Sequence, residues 1–216
     1  MKVILFGATG MIGRGVLREC LLDDRVTAVL AVGRSATGVA HPKLREILHD
    51  DLLDLSAIED DLRGHDACFF CLGVSSAGMG EADYRRITYD YTLSVARTLA
   101  RLSPGSTFVY VSGVGADEQG RAMWARVKGM TENALLALPL EAYVFRPGYV
   151  QAMYGVTSRT RLYRLAYLVI RPLYPVLRRL AAGQVTTTER IGQAMITVAE
   201  RGAPRRVLGP EDLNAL

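Results

Sequence analysis

The chain contains little cysteine and little histidine, and each scarcity excludes a class of protein. Its 216 residues include three cysteines, an odd number in apolar surroundings, which argues against a disulfide framework and predicts a reducing, cytoplasmic compartment. The three histidines are scattered, and none has another histidine or a cysteine four residues away on a helix, so no metal site is predicted. These residues are Cys20, Cys68, Cys71, His41, His49 and His65.

The sequence also predicts no secretion signal, and it does not have the composition of a fibrous or disordered protein. Met1–Phe6 runs directly into a glycine loop rather than into an apolar stretch with a cleavage site. Hydrophobic residues make up 50% of the chain and charged residues 22%, with 21 glycines and 8 prolines, which excludes collagen, coiled coil and wholesale disorder. A chain of this length can build a core without disulfides or metals.

Acidic residues are absent from residues 157–180, where six arginines are interleaved with leucine and tyrosine. The excess of 26 basic over 22 acidic residues therefore reflects one segment, and no nucleic-acid partner is predicted. We expect this segment to form a helical lid or a homodimer face, broken at Pro172 and Pro175. Peripheral contact with an anionic membrane and contact with an acidic partner remain open. Its uncharged runs, such as Leu165–Ile170, are too short to span a membrane.

Short β-branched runs alternate with longer amphipathic stretches, a pattern typical of βαβ units around a parallel sheet. We predict an α/β fold of the Rossmann type, a doubly wound parallel sheet with helices on both faces and a small C-terminal helical lid. One domain is expected over 1–216, with its core in 1–150 and the lid in 151–216. The expected strands are Lys2–Phe6, Val26–Val32, Leu44–Leu48, Ala67–Leu72, Thr107–Ser112 and Ala142–Arg146, and the main helices are Ile12–Leu22, Ala82–Leu102 and Gly120–Leu138.

A glycine loop joins the first predicted strand to the first predicted helix. Gly7 permits the tight turn, Gly10 has no side chain to keep a diphosphate from the backbone, and Gly13 allows close packing of helix and strand. The N–H groups at the start of the helix then supply donors for an anion. This pattern predicts binding of a dinucleotide. The residues expected to contact it are Gly7, Thr9, Gly10, Met11, Ile12, Gly13 and Arg14.

The end of the second strand predicts which dinucleotide binds. NAD-binding proteins place an acidic residue there for the ribose hydroxyls, whereas an arginine accommodates the 2′-phosphate of NADP. The sequence reads Gly33-Arg34-Ser35, with no acid. Arg34 and Ser35 suit a phosphate, and Arg14 can close on the same group. We therefore predict NADP(H) as the cofactor.

Several motifs in order resemble the short-chain dehydrogenase/reductase superfamily. They are the glycine loop, Gly33-Arg34, Cys71-Leu72-Gly73 and Phe145-Arg146-Pro147-Gly148. The chain is most similar to the atypical NAD(P)H-binding branch of that superfamily, over about residues 1–155. The resemblance implies that Asp51, with Leu52 beside it, contacts the adenine. It also implies that the backbone of Cys71, Leu72 and Gly73 passes the cofactor ribose, and that Pro147, Gly148 and Tyr149 lie near the nicotinamide.

The resemblance also implies a catalytic set, with one departure. Ser112 matches the serine of the superfamily and Lys128 matches its lysine, which holds the nicotinamide ribose. Trp124 stands four residues before Lys128, where the superfamily has its proton-transferring tyrosine. An indole N–H donates a hydrogen bond but does not exchange its proton at neutral pH. Either Tyr149 or Tyr154 supplies the proton, or the acceptor is a quinone or flavin that needs no protein acid.

Three hypotheses about function follow. The leading one is an NADPH-dependent reductase acting on a hydrophobic carbonyl compound or quinone, with Ser112, Lys128 and Tyr149 as catalytic residues. The second is a binding protein that senses NADPH without turnover and acts through a protein partner or a membrane surface. Epimerisation of a nucleoside-diphosphate sugar is disfavoured, because the tyrosine is missing and only about 65 residues follow the sixth strand.

Overall fold

The computed structural model describes residues 1–153 and 184–216. Its main sheet has the order β3-β2-β1-β4-β5-β6-β9, and every neighbouring pair of strands is parallel. This order, with helices on both faces, confirms the predicted Rossmann-type fold. The strands are β1 Lys2–Phe6, β2 Ala28–Gly33, β3 Leu44–Leu48, β4 Ala67–Phe70, β5 Thr107–Val111, β6 Glu141–Phe145, β7 Tyr149–Gln151, β8 Val185–Thr187 and β9 Val207–Leu208.

The three main helices that were predicted are present with small changes at their ends, apart from a change of helical type in the longest one. The helices after residue 187 were not predicted individually. The predicted helix Ala82–Leu102 consists of an α-helical turn, the π-helical segment Arg86–Asp90 and a second α-helix. The helices are α1 Met11–Leu22, α2 Glu59–Leu62 after the 3₁₀ turn Ser56–Ile58, α3 Glu81–Arg85, α4 Tyr91–Leu102, α5 Met123–Leu136, α6 Thr188–Arg201 and α7 Pro210–Ala215.

Two hydrophobic clusters lie on opposite faces of the sheet because alternate strand residues point to opposite sides. One cluster joins Val3, Phe69 and Val109 to α1 and α6. The other joins Phe70, Phe108 and Tyr110 to α2, α4 and α5. The central strands β1, β4 and β5 are therefore buried on both sides, which explains why their only charged residue is Lys2, at the exposed start of β1.

The core extends beyond residue 150, where the sequence predicted a lid. Helix α6 packs on α1 so closely that a Cβ added to Gly192 would lie 2.8 Å from Glu19 Cγ. Strand β9 pairs with β6 as a seventh strand of the sheet, where six were predicted. Strands β7 and β8 form a separate two-stranded parallel sheet. These strands are short and far apart in sequence, so no local pattern indicated their pairing.

The predicted lid segment 157–180 and Tyr154 lie outside the described residues. None of the helices in residues 1–153 and 184–216 has the length and apolar character needed to cross a membrane. The same residues contain no group of three or more side chains arranged to hold a metal ion.

Candidate functional site

The carboxyl ends of the parallel strands place most of the predicted site residues at one edge of the sheet. The glycine loop follows β1, Arg34 follows β2, Cys71 follows β4, Ser112 follows β5 and Arg146 follows β6. In doubly wound folds this edge holds the ligand crevice, at the point where the strand order reverses. Here the reversal lies between β1 and β4.

The glycine loop has the close contacts that only glycine permits. Gly7 has φ of 80°, and a Cβ there would lie 2.6 Å from the backbone nitrogen of Leu72. A Cβ at Gly13 would lie 2.0 Å from the Gly7 oxygen. The Gly10 N–H donates to the Gly7 oxygen at 2.9 Å and closes the turn. Helix and strand therefore meet at van der Waals distance, as the sequence predicted.

The N-terminus of α1 suits an anionic ligand. Its N-cap residue is Gly10, no side chain caps the first turn, and no acidic residue lies in that turn. The first N–H groups of a helix have no partner within the helix, and the helix dipole favours negative charge there. A Cβ at Gly10 would meet only the Gly7 oxygen, at 3.3 Å, so the approach from outside is open. Residues 7–13 thus fit the diphosphate of a dinucleotide.

The predicted phosphate-binding arginines are exposed on the surface near this loop. Arg14 lies in the first turn of α1, and its N–H donates to the Gly10 oxygen at 2.9 Å. Arg34 and Ser35 follow β2 directly and are also exposed. In the described part of the chain no carboxylate forms an ion pair with Arg14 or Arg34.

The two residues expected beside the adenine have different environments. The Asp51 side chain is exposed, and its Oδ1 accepts a hydrogen bond from the Leu53 N–H at 3.0 Å. Its second carboxylate oxygen therefore has acceptor capacity for a ligand. The Leu52 side chain is buried in the cluster that contains Phe70. Leu52 can therefore meet a ligand only through its backbone.

The segment after β4 presents backbone to the crevice. The Cys71 N–H donates to the Phe6 oxygen at 2.9 Å, which extends the pairing of β4 with β1. Burial raises the pKa of the Cys71 thiol well above its usual range, so the thiol is neutral and unreactive at physiological pH. Leu72 lies against Gly7, and the Gly73 Cα faces open space. These features fit a strand end that passes a ligand with its main chain.

Beyond β5, Ser112 belongs to a buried polar cluster that the sequence analysis missed. The Ser112 hydroxyl donates to Oε1 of Glu132, which is only 2% exposed. The Arg146 guanidinium holds the same carboxylate: Nε lies 3.1 Å from both oxygens, and a terminal nitrogen donates to Oε2. The sequence signal for this cluster was a glutamate four residues after Lys128, together with an arginine at the end of a strand.

Lys128 lies on α5, one turn before Glu132, and reaches the end of β5. Its Nζ donates to the Val111 oxygen at 3.4 Å and lies 5.3 Å from the centre of the Tyr110 ring. Burial lowers the pKa of Lys128 to about 8, and the nearby Glu132 carboxylate acts in the opposite direction. The structure thus brings Lys128 to the same strand end as Ser112.

Trp124 lies on α5, and Tyr149 lies at the start of β7. The half-buried Trp124 indole packs on the loop after β5, with Cη2 3.3 Å from the position of a Cβ at Gly115. The Tyr149 hydroxyl donates to Gln151 Oε1 at 3.1 Å on β7. Pro147 is buried, and a Cβ at Gly148 would lie 2.4 Å from the Gln184 oxygen. The turn after β6 is therefore tightly packed against the start of β8.

Comparisons with known proteins agree with this geometry. A family model described as NAD(P)H-binding matches residues 7–187. Protein FMP52-1, mitochondrial, of Scheffersomyces stipitis is 28% identical over 177 residues, which cover 81% of this chain and 77% of the relative. Protein HTATIP2 of Rattus norvegicus is 28% identical over 151 residues, which cover 68% of this chain but only 62% of the rat protein.

Solved structures with the same fold include a dTDP-glucose 4,6-dehydratase, DesIV of Streptomyces venezuelae, with NAD bound. It is 17% identical, with a TM-score of 0.72, and the match covers 97% of this chain and 75% of that one. A short chain dehydrogenase family protein of Francisella tularensis has a TM-score of 0.68 at 15% identity, with 100% of this chain and 99% of that one covered. These similarities confirm the predicted likeness to short-chain dehydrogenases, and the chain belongs to the NAD(P)H-binding family.

Proposed function

We propose that the chain binds NADP(H) and transfers hydride between the nucleotide and a hydrophobic carbonyl compound or quinone. The observation that carries this proposal is the uncapped N-terminus of α1 behind a glycine loop whose close contacts exclude side chains. When bound, the nicotinamide supplies or accepts the hydride. The protein's own residues hold the diphosphate, exclude water and place a proton donor or acceptor near the substrate oxygen.

Preference for NADP rests on the exposed Arg14, Arg34 and Ser35. A guanidinium can hold a 2′-phosphate with two hydrogen bonds, and no acid follows β2 to hold ribose hydroxyls instead. Trp124 is the only tryptophan in the chain, so its fluorescence can follow nucleotide binding. Titration with NADPH and with NADH tests the proposal. Tighter binding of NADH would refute the preference, and binding of neither would refute the proposed function.

A matched pair of arginine variants sharpens this test. R34A removes one charge-assisted contact to the phosphate, so we expect NADPH affinity to fall about tenfold or more. NADH affinity should stay unchanged, because NADH lacks that phosphate. R97A serves as the control, since Arg97 is exposed on α4, which is not part of the crevice. Equal losses for both nucleotides in R34A would assign Arg34 a general role.

A hydrophobic substrate is supported by apolar side chains near the crevice. Val74 follows β4 and is 38% exposed, and Val114 follows β5 and is 49% exposed. The Trp124 indole packs on Gly115, the residue after Val114. An aromatic or aliphatic compound can cover these groups from water. Ser112, Lys128 and Tyr149 are the residues that we propose for contact with its polar end.

A second candidate function, sensing of NADPH without turnover, is favoured by Trp124. The tryptophan occupies the helical position of the usual proton-transferring tyrosine, and the Tyr149 hydroxyl is already bonded to Gln151. A panel of carbonyl compounds and quinones distinguishes the two functions. NADPH oxidation by quinones alone indicates a reductase that needs no protein acid. Tight NADPH binding with no oxidation by any member of the panel favours the sensor.

Location and partners complete the proposal. We propose a cytoplasmic protein, although the fungal relatives carry names that call them mitochondrial. Cell fractionation distinguishes the two compartments. Homodimer formation or peripheral membrane contact through residues 157–180 is tested by light scattering and by sedimentation with vesicles that contain or lack anionic lipid.

A further inference from the structure

A buried carboxylate lies beneath the catalytic end of the crevice and has no part in the usual chemistry of the site. Glu132 projects from α5 toward the ends of β5 and β6, where it contacts Ser112 and Arg146. A carboxylate that is 2% exposed is costly unless it is paired and hydrogen-bonded. The Arg146 guanidinium, on a side chain that is 32% exposed, closes the cluster on its outer side.

The first consequence concerns the direction in which Ser112 can bond. A serine hydroxyl has one proton, and Ser112 donates it to Glu132. The Ser112 oxygen can then only accept further hydrogen bonds. A group that meets Ser112 must therefore be a donor, such as an alcohol or an ammonium, whereas a carbonyl oxygen needs its donor from another residue.

The second consequence concerns the charge on Lys128, which lies one helical turn before Glu132. From α5, the Lys128 side chain faces two groups of β5, the Val111 oxygen and the Tyr110 ring. On α5 itself, Glu132 lies one turn after Lys128. The Glu132 carboxylate is bonded to Arg146, which follows β6. Burial disfavours the lysine cation, and the Glu132 carboxylate favours it. Because the Arg146 guanidinium is bonded to that carboxylate, we expect it to weaken the effect of Glu132 on Lys128.

We propose that Glu132 is a positioning residue that acts through its neighbours: its carboxylate keeps Lys128 a cation and commits Ser112 to accept rather than donate. Lys128 is then the charged donor at the nicotinamide end of the crevice. The catalytic meaning of this arrangement rests on the proposed function, but the arrangement itself is a property of the folded protein and can be tested without a nucleotide.

The test uses the small number of lysines in the chain. Only Lys2, Lys43 and Lys128 are present, so a protein labelled with ¹³C at lysine Cε gives three NMR signals to follow against pH. Loss of one signal in K128R assigns Lys128. In the unaltered protein we expect the Lys128 signal to titrate near pH 8.

Two substitutions should move this titration midpoint in opposite directions. E132Q removes the carboxylate and should lower the midpoint by about one pH unit. R146M removes the competing cation while retaining an apolar stem, and should raise the midpoint. S112A is the matched control, because it removes a contact to Glu132 without changing any charge, and should leave the midpoint nearly unchanged.

Shifts of the Lys128 midpoint in opposite directions distinguish the proposal from a purely structural role of Glu132 and Arg146. If Glu132 and Arg146 only anchor β6 to α5, both substitutions lower the melting temperature and neither moves the Lys128 midpoint. That result, or a shift of both midpoints in the same direction, would overturn the proposal. If E132Q does not fold, R146M still decides the matter, since an unchanged or lowered midpoint contradicts the proposal.

Nucleotide binding is measured separately through Trp124 fluorescence in the same variants. Shifted midpoints in a protein that binds no pyridine nucleotide would refute the proposed function and leave the role of Glu132 intact. Unshifted midpoints in a protein that binds NADPH tightly would refute the role of Glu132 and leave the proposed function intact.

Discussion

At the scale of single residues, Trp124 is the side chain that most affects the proposed reaction. It stands one helical turn before Lys128, and its indole lies against the loop that follows β5. Ser112 is committed to Glu132, and the Tyr149 hydroxyl is bonded to Gln151. In the proposed reaction a carbonyl acceptor would therefore depend on Lys128 for a proton, whereas a quinone could take its protons from water.

If the proposed reaction is correct, a tyrosine at position 124 should increase carbonyl reduction. We expect W124Y to raise the rate of NADPH-dependent reduction of a carbonyl compound by about 100-fold, the usual contribution of a positioned acid. W124F is the control, because it makes a similar change in size without adding a phenol. Equal rates for the two variants would show that residue 124 does not face the reacting oxygen.

Gly13 should be intolerant of any side chain. A Cβ there would lie 2.0 Å from the Gly7 oxygen, so the helix and the strand must move apart. We expect G13A to lower the free energy of unfolding by about 1–3 kcal/mol, as overpacking usually does, and to weaken NADPH binding. Urea unfolding measures the first effect. G33A is the control, since no atom lies within 4 Å of a Cβ at Gly33, and a similar loss there would contradict the argument.

At the scale of secondary-structure elements, the packing of α6 against α1 fixes the face of the sheet beneath the glycine loop. Gly15 on α1 meets Thr188, and Gly192 on α6 meets Glu19, so the two helices approach closely. Helix α6 begins just after β8 and is capped by Thr187, whose hydroxyl accepts the Arg190 N–H at 3.1 Å. Loss of this cap would loosen the start of the helix.

The cap can be tested by removing one hydroxyl. We expect T187A to lower the free energy of unfolding by about 1 kcal/mol, the usual value of such a cap, when measured by urea denaturation. T187S retains a hydroxyl and should keep most of the stability. If T187S loses as much as T187A, the threonine methyl rather than the cap is the stabilising group.

The sequence predicted most of these elements because local patterns encode them. The glycine loop, the buried strands β1, β4 and β5, and α1 all follow from hydrophobic periodicity and glycine spacing. The pairings of β7 with β8 and of β6 with β9 depend on contacts distant in sequence. The position of Glu132 beside Ser112 likewise arises only when α5 packs across the ends of β5 and β6.

At the scale of the whole molecule, a bound nucleotide would bridge elements from both halves of the sheet. The glycine loop and Arg34 belong to β1 and β2, whereas Ser112 and Arg146 follow β5 and β6. A ligand that contacts both groups binds only the folded chain. It therefore stabilises that chain by mass action.

Thermal unfolding should reveal this stabilisation and its selectivity. With NADPH at one hundred times its dissociation constant we expect about 2.7 kcal/mol of added stability. The same concentration of NADH should give a much smaller rise in melting temperature, and in R34A the difference between the two nucleotides should disappear. Equal rises with both nucleotides in the unaltered protein would contradict the role of Arg34.

The short strand β9 links the last residues of the fold to the catalytic end. Its Leu208 oxygen accepts the N–H of Arg146 at 2.8 Å, and the Arg206 oxygen accepts that of Val144 at 2.7 Å. A stop codon just before Arg206 would therefore do two things at once. It would leave β6 as an unpaired edge strand, which promotes aggregation. It would also remove the hydrogen bond that the backbone of Arg146, the residue that binds Glu132, donates to Leu208. Premature termination this late should thus destabilise the fold and the proposed site together.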